Sequence, residues 1–364
     1  MSRMLPLQLM SKRCRPTALH FLVPGSINRP TGGSRYDREI VNALIAQGHS
    51  VAVTELTGQF PGPDQIAAQA VEAALNAIES NSSVIIDGLV LGGLPESFAP
   101  HAQRLELIAL VHHPLCLESG LSTQAAEALQ QREKQALSYC QKVIATSEHT
   151  RLQLAALDLY QDTVITVEPG CAPAPLSTGG HADQIELICV GSITPRKGQD
   201  VLVEALSQIS DDAPAWHCQL IGSTELAPAF AQNVSQQIEH ANLAHRVTLA
   251  GALEAAALTQ AYATADCLIL PSRYEGYGMV VTEAIARGLP IITTTAGALV
   301  DTLPPHAGIA VNPNDAAALK VAIQSFLTDA SLQQRLRDGA RDARQHLTPW
   351  SVRGQAFSDA LTKE

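Results

Sequence analysis

The sequence predicts an α/β protein made of two doubly wound domains, each built on a mostly parallel sheet. Short apolar runs of strand length alternate with longer stretches of helical period, which is typical of a parallel sheet covered on both faces. The alternation stops once, in a stretch rich in Pro, Ala, Gly and Ser at residues 171–184, and then resumes. At 364 residues, with 46% hydrophobic and 16% charged residues, the chain can form two full cores.

In the first half, the apolar pattern predicts six strands, with helix candidates between them. The helix at residues 36–47 is followed by Gly48, in the usual position of a C-terminal glycine. The predicted strands are residues 20–23, 50–54, 83–87, 108–111, 142–146 and 164–167, and the helices are residues 36–47 and 123–140.

In the second half, the same alternation predicts five strands and five helices. The strands are residues 185–190, 217–221, 246–249, 267–270 and 291–294, and the helices are residues 199–208, 228–241, 254–263, 280–287 and 315–327. We therefore place a loose tail at residues 1–18, a first domain at 19–172, a linker at 173–184, a second domain at 185–349 and a final amphipathic segment at 350–364.

Composition limits the class of protein. No apolar run is long enough to span a bilayer, and the residues before Leu22 contain no secretory-type apolar region. The net charge of -11 argues against nucleic acid or a strongly anionic membrane as the main partner. The seven cysteines are scattered and form no Cys-x-x-Cys pair, so we expect reduced thiols and a cytoplasmic location.

Two acids, Glu275 and Glu283, bracket a glycine turn that opens a predicted helix. Free backbone N–H groups and the positive end of the helix dipole favour an anion there, and Gly276 and Gly278 let it approach closely. Ionised carboxylates only accept hydrogen bonds, which sugar hydroxyls donate. The turn therefore predicts a sugar nucleotide. The alternative for each acid is a helix-end charge worth only ~0.3 to 1 kcal/mol.

Arg196 and Lys197 follow a predicted buried strand, in a short loop just before the next helix. Arg can bind a phosphate through two parallel hydrogen bonds and Lys adds a compact charge, so together they would stabilise a departing diphosphate. A solvated loop with two surface cations is the alternative. Because the chain has no Asp-x-Asp pair, we predict no metal at the diphosphate, and no cofactor besides the donor substrate.

Several segments of the second half together resemble the nucleotide-binding domain of family-four glycosyltransferases, which are retaining enzymes of the GT-B architecture. The resemblance covers nearly all of residues 185–325. It implies transfer of a hexose-type sugar from a nucleotide diphosphate sugar to an acceptor hydroxyl. The matching segments are residues 190–191, 194–198, 247–251, 262–266 and 271–284.

The resemblance also implies roles for individual residues. Glu275 would contact the donor sugar, Glu283 the ribose, and the loop around Leu253 the base. Many family members have an Arg where this chain has Ser192, so we assign that missing cation to Arg196. The implied catalytic residues are Arg196, Lys197, Glu275 and His112, and the implied donor-binding residues are Gly32, Gly33, Leu253, Gly276, Tyr277, Gly278, Met279, Val280 and Glu283.

The first half resembles the acceptor domain of the family more loosely. Gly32 and Gly33 would close over the donor phosphates, with a turn that needs backbone freedom as the alternative. His112, at the end of a strand, would lie beside the transferred sugar, with a structural histidine as the alternative. His113 and Glu118 are candidates for acceptor binding, or they cap a helix. The final helix is expected to return to this domain.

The resemblance implies only general classes of donor and acceptor. A nucleotide sugar is the expected donor, the acceptor is a small molecule, a glycan or a lipid-linked molecule, and peripheral membrane contact stays open. An epimerase or a phosphorylase of the same architecture is an alternative. A degenerate, non-catalytic nucleotide-binding subunit is another, although the presence of Lys197, Glu275 and Glu283 argues against it.

Overall fold

The computed structural model describes residues 18–180, 183–210 and 212–362, which form two α/β domains joined by an irregular segment. Each domain contains a six-stranded sheet, and all of the paired strands are parallel. The predicted doubly wound fold is therefore confirmed. The predicted tail lies outside the described residues except for Ala18.

The N-terminal domain contains the six predicted strands, in the sheet order β2-β1-β3-β4-β5-β6. The order of the strands reverses between β1 and β3, and a ligand site is expected at such a reversal in an open parallel sheet. The strands are β1 (Leu19–Pro24), β2 (Val51–Leu56), β3 (Ser83–Asp87), β4 (Glu106–Val111), β5 (Lys142–Ala145) and β6 (Val164–Thr166).

The helices of this domain cover both faces of the sheet. The first begins at Gly32, four residues before the predicted start, because the Thr31 hydroxyl accepts a hydrogen bond from the Ser34 amide and caps it. The helices are α1 (Gly32–Ala46), α2 (Gln65–Ala77), α3 (Gly88–Leu91), α4 (Pro95–Phe98), α5 (Thr123–Leu137) and α6 (Glu148–Ala156).

The C-terminal domain has the sheet order β12-β11-β10-β7-β8-β9, with its reversal between β7 and β10. The strands are β7 (Ile185–Val190), β8 (Trp216–Ile221), β9 (Val247–Gly251), β10 (Cys267–Leu270), β11 (Ile291–Thr294) and β12 (Gly308–Val311). The helices are α7 (Gln199–Leu206), α8 (Pro228–His240), α9 (Ala255–Thr264), α10 (Met279–Ala286), α11 (Leu299–Thr302), α12 (Ala316–Thr328) and α13 (Ala330–Arg344).

Three elements of this domain are not predicted from the sequence pattern, and one of them, α11, is a helix of only four residues. The edge strand β12 is four residues long and none of its residues is buried, so its short apolar stretch does not by itself indicate a strand. Helix α13 buries only Leu336 and Ala340, and its remaining surface is too polar to give a clear apolar period.

The last helix, α14 (Trp350–Thr362), packs on the N-terminal domain although it follows the second domain in the chain. Phe357 is buried in the core beside α1. Gly354 allows the close approach, because a Cβ there would lie 2.3 Å from the Cβ of Ala43. In addition, His49 Nε2 lies 2.7 Å from the Ser358 hydroxyl. In the described part of the chain, no helix is both long and apolar enough to cross a membrane.

Candidate active site

Glu275 lies in the turn between β10 and α10, where it is buried and charged. Lys197 Nζ is 2.5 Å from its Oε1, and Arg196 Nη1 is 3.2 Å from its Oε2. The Ser272 hydroxyl also donates a hydrogen bond to Oε1 at 2.6 Å. Burial alone would raise the pKa of Glu275, but Lys197 and Arg196 outweigh it and lower that pKa to about 2. The carboxylate is therefore ionised at neutral pH.

Two further residues hold the loop that carries these cations. Arg273, just before Glu275, forms two hydrogen bonds of 2.9 and 2.7 Å with the carboxylate of Asp200 at the start of α7. It also donates to the carbonyl of Pro195 at 2.5 Å. The side-chain amide of Gln199, which is fully buried, donates to the carbonyl of Ser192 at 3.0 Å. These contacts connect the loop after β7 to the turn after β10.

Glu283 lies on α10 and is also buried. Its Oε1 forms an ion pair with Arg35 from α1, so this pair joins the two domains. Its Oε2 accepts a hydrogen bond of 3.0 Å from the hydroxyl of Tyr262, and the guanidinium of Arg287 lies 4.3 Å from the centre of that ring. A specific partner for each carboxylate oxygen argues against a mere helix-end charge, the alternative that the sequence left open.

The turn before α10 brings the domains together. A Cβ on Gly276 would lie 2.2 Å from the carbonyl oxygen of His112, so only glycine permits this contact. Gly278 precedes α10 with a φ of 91°, a left-handed conformation that favours glycine. Met279 packs against the N-terminal core, whereas Val280 packs within its own domain. The free N–H groups at the start of α10 thus lie at the domain boundary.

Gly32 and Gly33 form the first turn of α1. Neither has a left-handed φ, and a Cβ would meet nothing within 4 Å at Gly32 and only ordinary contacts with His112, at 3.5 Å, at Gly33. A turn that requires backbone freedom, the alternative raised from the sequence, is therefore not what the structure shows. The missing side chains leave the N-terminus of α1 open, and the approach of a ligand there stays a prediction.

His112 follows β4 and contacts two buried carboxylates. Its Nε2 lies 3.1 Å from Asp37 Oδ1, on α1, and 3.3 Å from Asp87 Oδ2, at the end of β3. Burial alone would lower the pKa of His112, but the two carboxylates raise it to about 10. For the acid Asp37, burial has the opposite effect and raises the pKa, although the contact with His112 lowers it in part. His112 is therefore protonated at neutral pH.

His113 and Glu118, the candidates for acceptor binding, continue this charged cluster. Glu118 Oε2 lies 3.3 Å from His113 Nε2, and its Oε1 lies 3.3 Å from Arg196 Nε. Burial would raise the pKa of Glu118, but His113 and Arg196 lower it overall. The candidate acceptor residues therefore adjoin a candidate donor residue, and Glu118 does not cap a helix through its side chain.

Two of the predicted residues lie apart from this cluster. Leu253 follows β9, and its side chain packs against the core of the second domain. Tyr277 lines a cavity of about 550 Å³ beside residues 168–171, where the chain leaves the first domain. His112, Lys197 and Glu275 are not among the described residues that line this cavity. The cavity is therefore separate from the charged cluster.

Sequence reasoning missed the partners of the predicted residues. These are Arg35, Asp37, Asp87, Asp200, Tyr262, Ser272 and Arg273. A signal existed for Asp87 alone, because it ends a predicted strand next to the strand that carries His112. The others occupy helices or turns whose polar residues are as common on solvated surfaces.

The fold defines a class of protein: two doubly wound domains, with a glycine turn at a helix start and two cations at their boundary, in the GT-B architecture. Residues 178–343 match the family model described as "Glycosyl transferases group 1". The second domain is therefore a glycosyl transferases group 1 domain, and the resemblance predicted from the sequence is confirmed.

A curated relative agrees with this match. The chain is 27% identical over 196 residues to a GDP-mannose-dependent monoacylated alpha-(1-6)-phosphatidylinositol monomannoside mannosyltransferase of Corynebacterium glutamicum, covering 51% of this chain and 49% of the relative. The chain thus spans about half the length of this curated relative.

Two solved structures share the fold over nearly the whole chain. Sucrose-phosphate synthase from Thermosynechococcus elongatus has a TM-score of 0.79 at 22% identity, covering 95% of this chain and 98% of that one. Alr3699/HepE of Anabaena, solved in complex with UDP and glucose, has a TM-score of 0.73 at 18% identity, covering 95% and 99%. At these identities, the likeness shows the fold alone.

Proposed function

We propose that this protein is a retaining glycosyltransferase that moves a hexose from a nucleotide diphosphate sugar to an acceptor hydroxyl without a metal ion. The observation that carries the proposal is the buried carboxylate of Glu275, held ionised by Lys197 and Arg196 at the domain boundary. The carboxylate can accept hydrogen bonds from sugar hydroxyls, while the cations can bind a diphosphate. One cluster thus supplies both parts of donor recognition.

The remaining donor contacts follow from the two helix starts. The N-termini of α1 and α10 offer free N–H groups for phosphate oxygens, with Gly32, Gly33 and Gly276 allowing close approach. Glu283 would bind the ribose hydroxyls once they displace Arg35 from its carboxylate. The main chain around Leu253 would contact the base.

The reaction needs charge stabilisation and positioning. The bond between the anomeric carbon and the diphosphate oxygen breaks, and a bond to the acceptor oxygen forms on the same face of the sugar. The acceptor proton passes to the departing diphosphate oxygen, so no side chain of the protein has to act as the base. Lys197 and Arg196 stabilise the charge on the leaving group, and the contact between the domains excludes water.

The names of the similar proteins support a nucleotide sugar as donor and guide the choice of base. One relative is named as GDP-mannose-dependent, and one solved structure contains UDP. GDP-sugars and UDP-sugars are therefore the first donors to test. The acceptor class stays a small molecule, a glycan or a lipid-linked molecule. Peripheral membrane contact and a cytoplasmic location stay part of this proposal.

A donor screen tests the proposed reaction. UDP-, GDP- and ADP-hexoses are added to the protein, and thermal stabilisation identifies the nucleotide that binds. With that donor and a panel of acceptors, we expect transfer with retained anomeric configuration by NMR, unchanged by EDTA. Isomerisation of the donor without an acceptor would instead indicate an epimerase, and a requirement for inorganic phosphate would indicate a phosphorylase.

Two variants test the site behind this activity. We expect Lys197→Ala and Glu283→Ala each to lower turnover at least roughly 100-fold, because each removes a preorganised contact to the donor. The matched controls are Arg335→Ala and Glu204→Ala, which remove exposed charges of the same sign from α13 and α7. Circular dichroism checks folding. Near-normal transfer by either site variant would reject the proposed function.

A further inference from the structure

Two acids at the reaction centre have no part in the transfer chemistry described above. Asp37 comes from the first turns of α1 and Asp87 from the end of β3, and both contact the same nitrogen of His112. Both carboxylates are almost fully buried. Burying two acids side by side destabilises a protein unless a positive charge lies with them, so this arrangement points to a specific role.

Asp87 is held in a defined orientation, and the neighbour of Asp37 on α1 also contacts the ring. Asp87 Oδ1 accepts a 2.7 Å hydrogen bond from the amide of Leu89 and caps α3, which leaves Oδ2 for His112. The aromatic ring of Tyr36, the neighbour of Asp37 on α1, contacts the imidazole edge on, with 5.5 Å between ring centres. The imidazole is therefore fixed from two elements of the N-terminal domain, α1 and β3.

The orientation of the ring follows from its exposure. The side chain of His112 is 16% exposed, against 1% for Asp37 and 3% for Asp87. Gly33 packs beside the Cδ2 and Nε2 atoms. Nε2 is thus engaged by the two carboxylates, whereas Nδ1 has no hydrogen bond to any described residue and is the ring nitrogen left for a ligand.

We propose that Asp37 and Asp87 are positioning residues that hold the His112 imidazole through Nε2 as a cation and present Nδ1–H to the donor. This inference rests on the proposed function, in which His112 lies beside the transferred sugar. The Nδ1–H group donates a hydrogen bond to an oxygen of the donor sugar or its diphosphate. His112 keeps its proton throughout, so it does not take the proton of the acceptor.

The groups around the ring support a permanent charge. Besides the two acids, the ring of Tyr36 packs against the imidazole, and burial raises the pKa of Tyr36 well above its usual range. Tyr36 is therefore neutral, and its hydroxyl donates a hydrogen bond of 2.7 Å to the carbonyl oxygen of Val167. The raised pKa of His112, about 10, means that the charge persists at pH 7 to 8.

NMR of the protein without substrate tests the positioning role directly. The ring resonances of ¹⁵N-labelled protein are titrated between pH 6 and 10.5, and His112→Gln assigns the signal. We expect His112 to be protonated at pH 8, and its pKa to fall by roughly 1–3 units in Asp37→Asn and in Asp87→Asn. The control Asp162→Asn removes an exposed acid of the same domain and should change nothing.

Kinetics with the donor found by the screen then test the consequence for catalysis. We expect either Asn variant to lower kcat roughly 10- to 100-fold, with the KM for the donor little changed and the alkaline limb of the pH profile moved to lower pH. Asp37→Glu, which keeps the charge, should recover part of the loss. Two variants on different elements guard against misfolding of one.

Different results would reject the positioning role and the proposed function. A neutral His112 at pH 8, an unchanged pKa in folded Asn variants, or displacement of its proton by added Zn²⁺ would overturn the positioning role, whatever the enzyme does. An inactive wild-type protein whose His112 titrates as expected would instead reject the proposed function and leave the geometry standing.

Discussion

At the residue scale, the charge state of Glu275 decides what the site can bind. A carboxylate in this buried position would ordinarily take up a proton, which would turn one of its oxygens into a donor. Lys197 and Arg196 prevent this, because both lie within 3.2 Å of it. The same residue is thus prepared to accept hydrogen bonds from hydroxyls while it neutralises the cations.

This charge state makes the stability of the protein depend on pH. Because the folded pKa of Glu275, about 2, lies below its ordinary value of 4.5, its contribution to stability is present above pH 4.5 and is lost as the pH falls towards 2. The contribution is on the order of 3 kcal/mol. We therefore expect the difference in unfolding free energy between wild type and Glu275→Gln to shrink between pH 5 and pH 3.

Urea unfolding at a series of pH values measures that difference. The control Glu204→Gln changes an exposed acid on α7, and its difference from wild type should not vary with pH. A difference for Glu275→Gln that is the same at pH 5 and pH 3 would show that the carboxylate is not held ionised by the two cations.

How far the sequence predicts single residues depends on the range of the signal. Glu275 and Lys197 could be proposed because each has a local pattern, a glycine turn in one case and a loop after an apolar strand in the other. The pairing of Glu283 with Arg35 joins residues 248 positions apart, and no local pattern carries it. Asp37 also has no local signal in the sequence, because a single acid on a helix is usually exposed to solvent.

At the element scale, the site is built from the segments that follow β7 and β10. These two strands are neighbours in the sheet although five elements of secondary structure separate them in the chain, so their loops lie together. The sequence predicts both loops correctly, because their strands are apolar and short. It cannot predict the contacts between Arg273 and Asp200, which depend on the sheet order.

We expect Arg273→Ala to weaken nucleotide binding about tenfold without unfolding the domain. The substitution frees the loop that carries Lys197 from the turn that carries Glu275, so ordering them on binding costs more free energy. A double-mutant cycle with Asp200→Ala should give a coupling of roughly 0.5–1 kcal/mol in stability.

Calorimetry with UDP, GDP or ADP, whichever nucleotide stabilises the protein, measures the affinity. Arg335→Ala, on the exposed face of α13, is the control for loss of one positive charge. Wild-type affinity in folded Arg273→Ala would mean that the two loops do not depend on this contact.

At the scale of the whole molecule, the described residues of the two domains meet at a few positions where close packing or a specific ion pair is required. Gly276 packs on the backbone of His112, and Arg35 pairs with Glu283. Helix α14 crosses back and packs on α1, which also begins at the site with Gly32. The sequence predicts two domains and their order, but their mutual contact depends on surface shape, which has no period in the chain.

The contact at Gly276 should determine how closely the domains approach. A methyl group there would lie 2.2 Å from the carbonyl oxygen of His112 and 3.2 Å from Cβ of His113, both in the other domain. Its φ is not left-handed, so alanine disturbs the boundary and not the fold of the turn. We expect Gly276→Ala to increase the radius of gyration in solution scattering and to lower turnover roughly 100-fold, since displacing reacting groups by about 1 Å has that effect.

Gly62→Ala is the matched control, because a Cβ there meets nothing within 4 Å. Circular dichroism should be the same for both variants, which separates a change in domain contact from unfolding. If Gly276→Ala kept the wild-type radius and turnover, the domains could tolerate a wider separation at His112. The charged cluster would then have to be completed by domain movement on donor binding, and not by the contact seen in this structure.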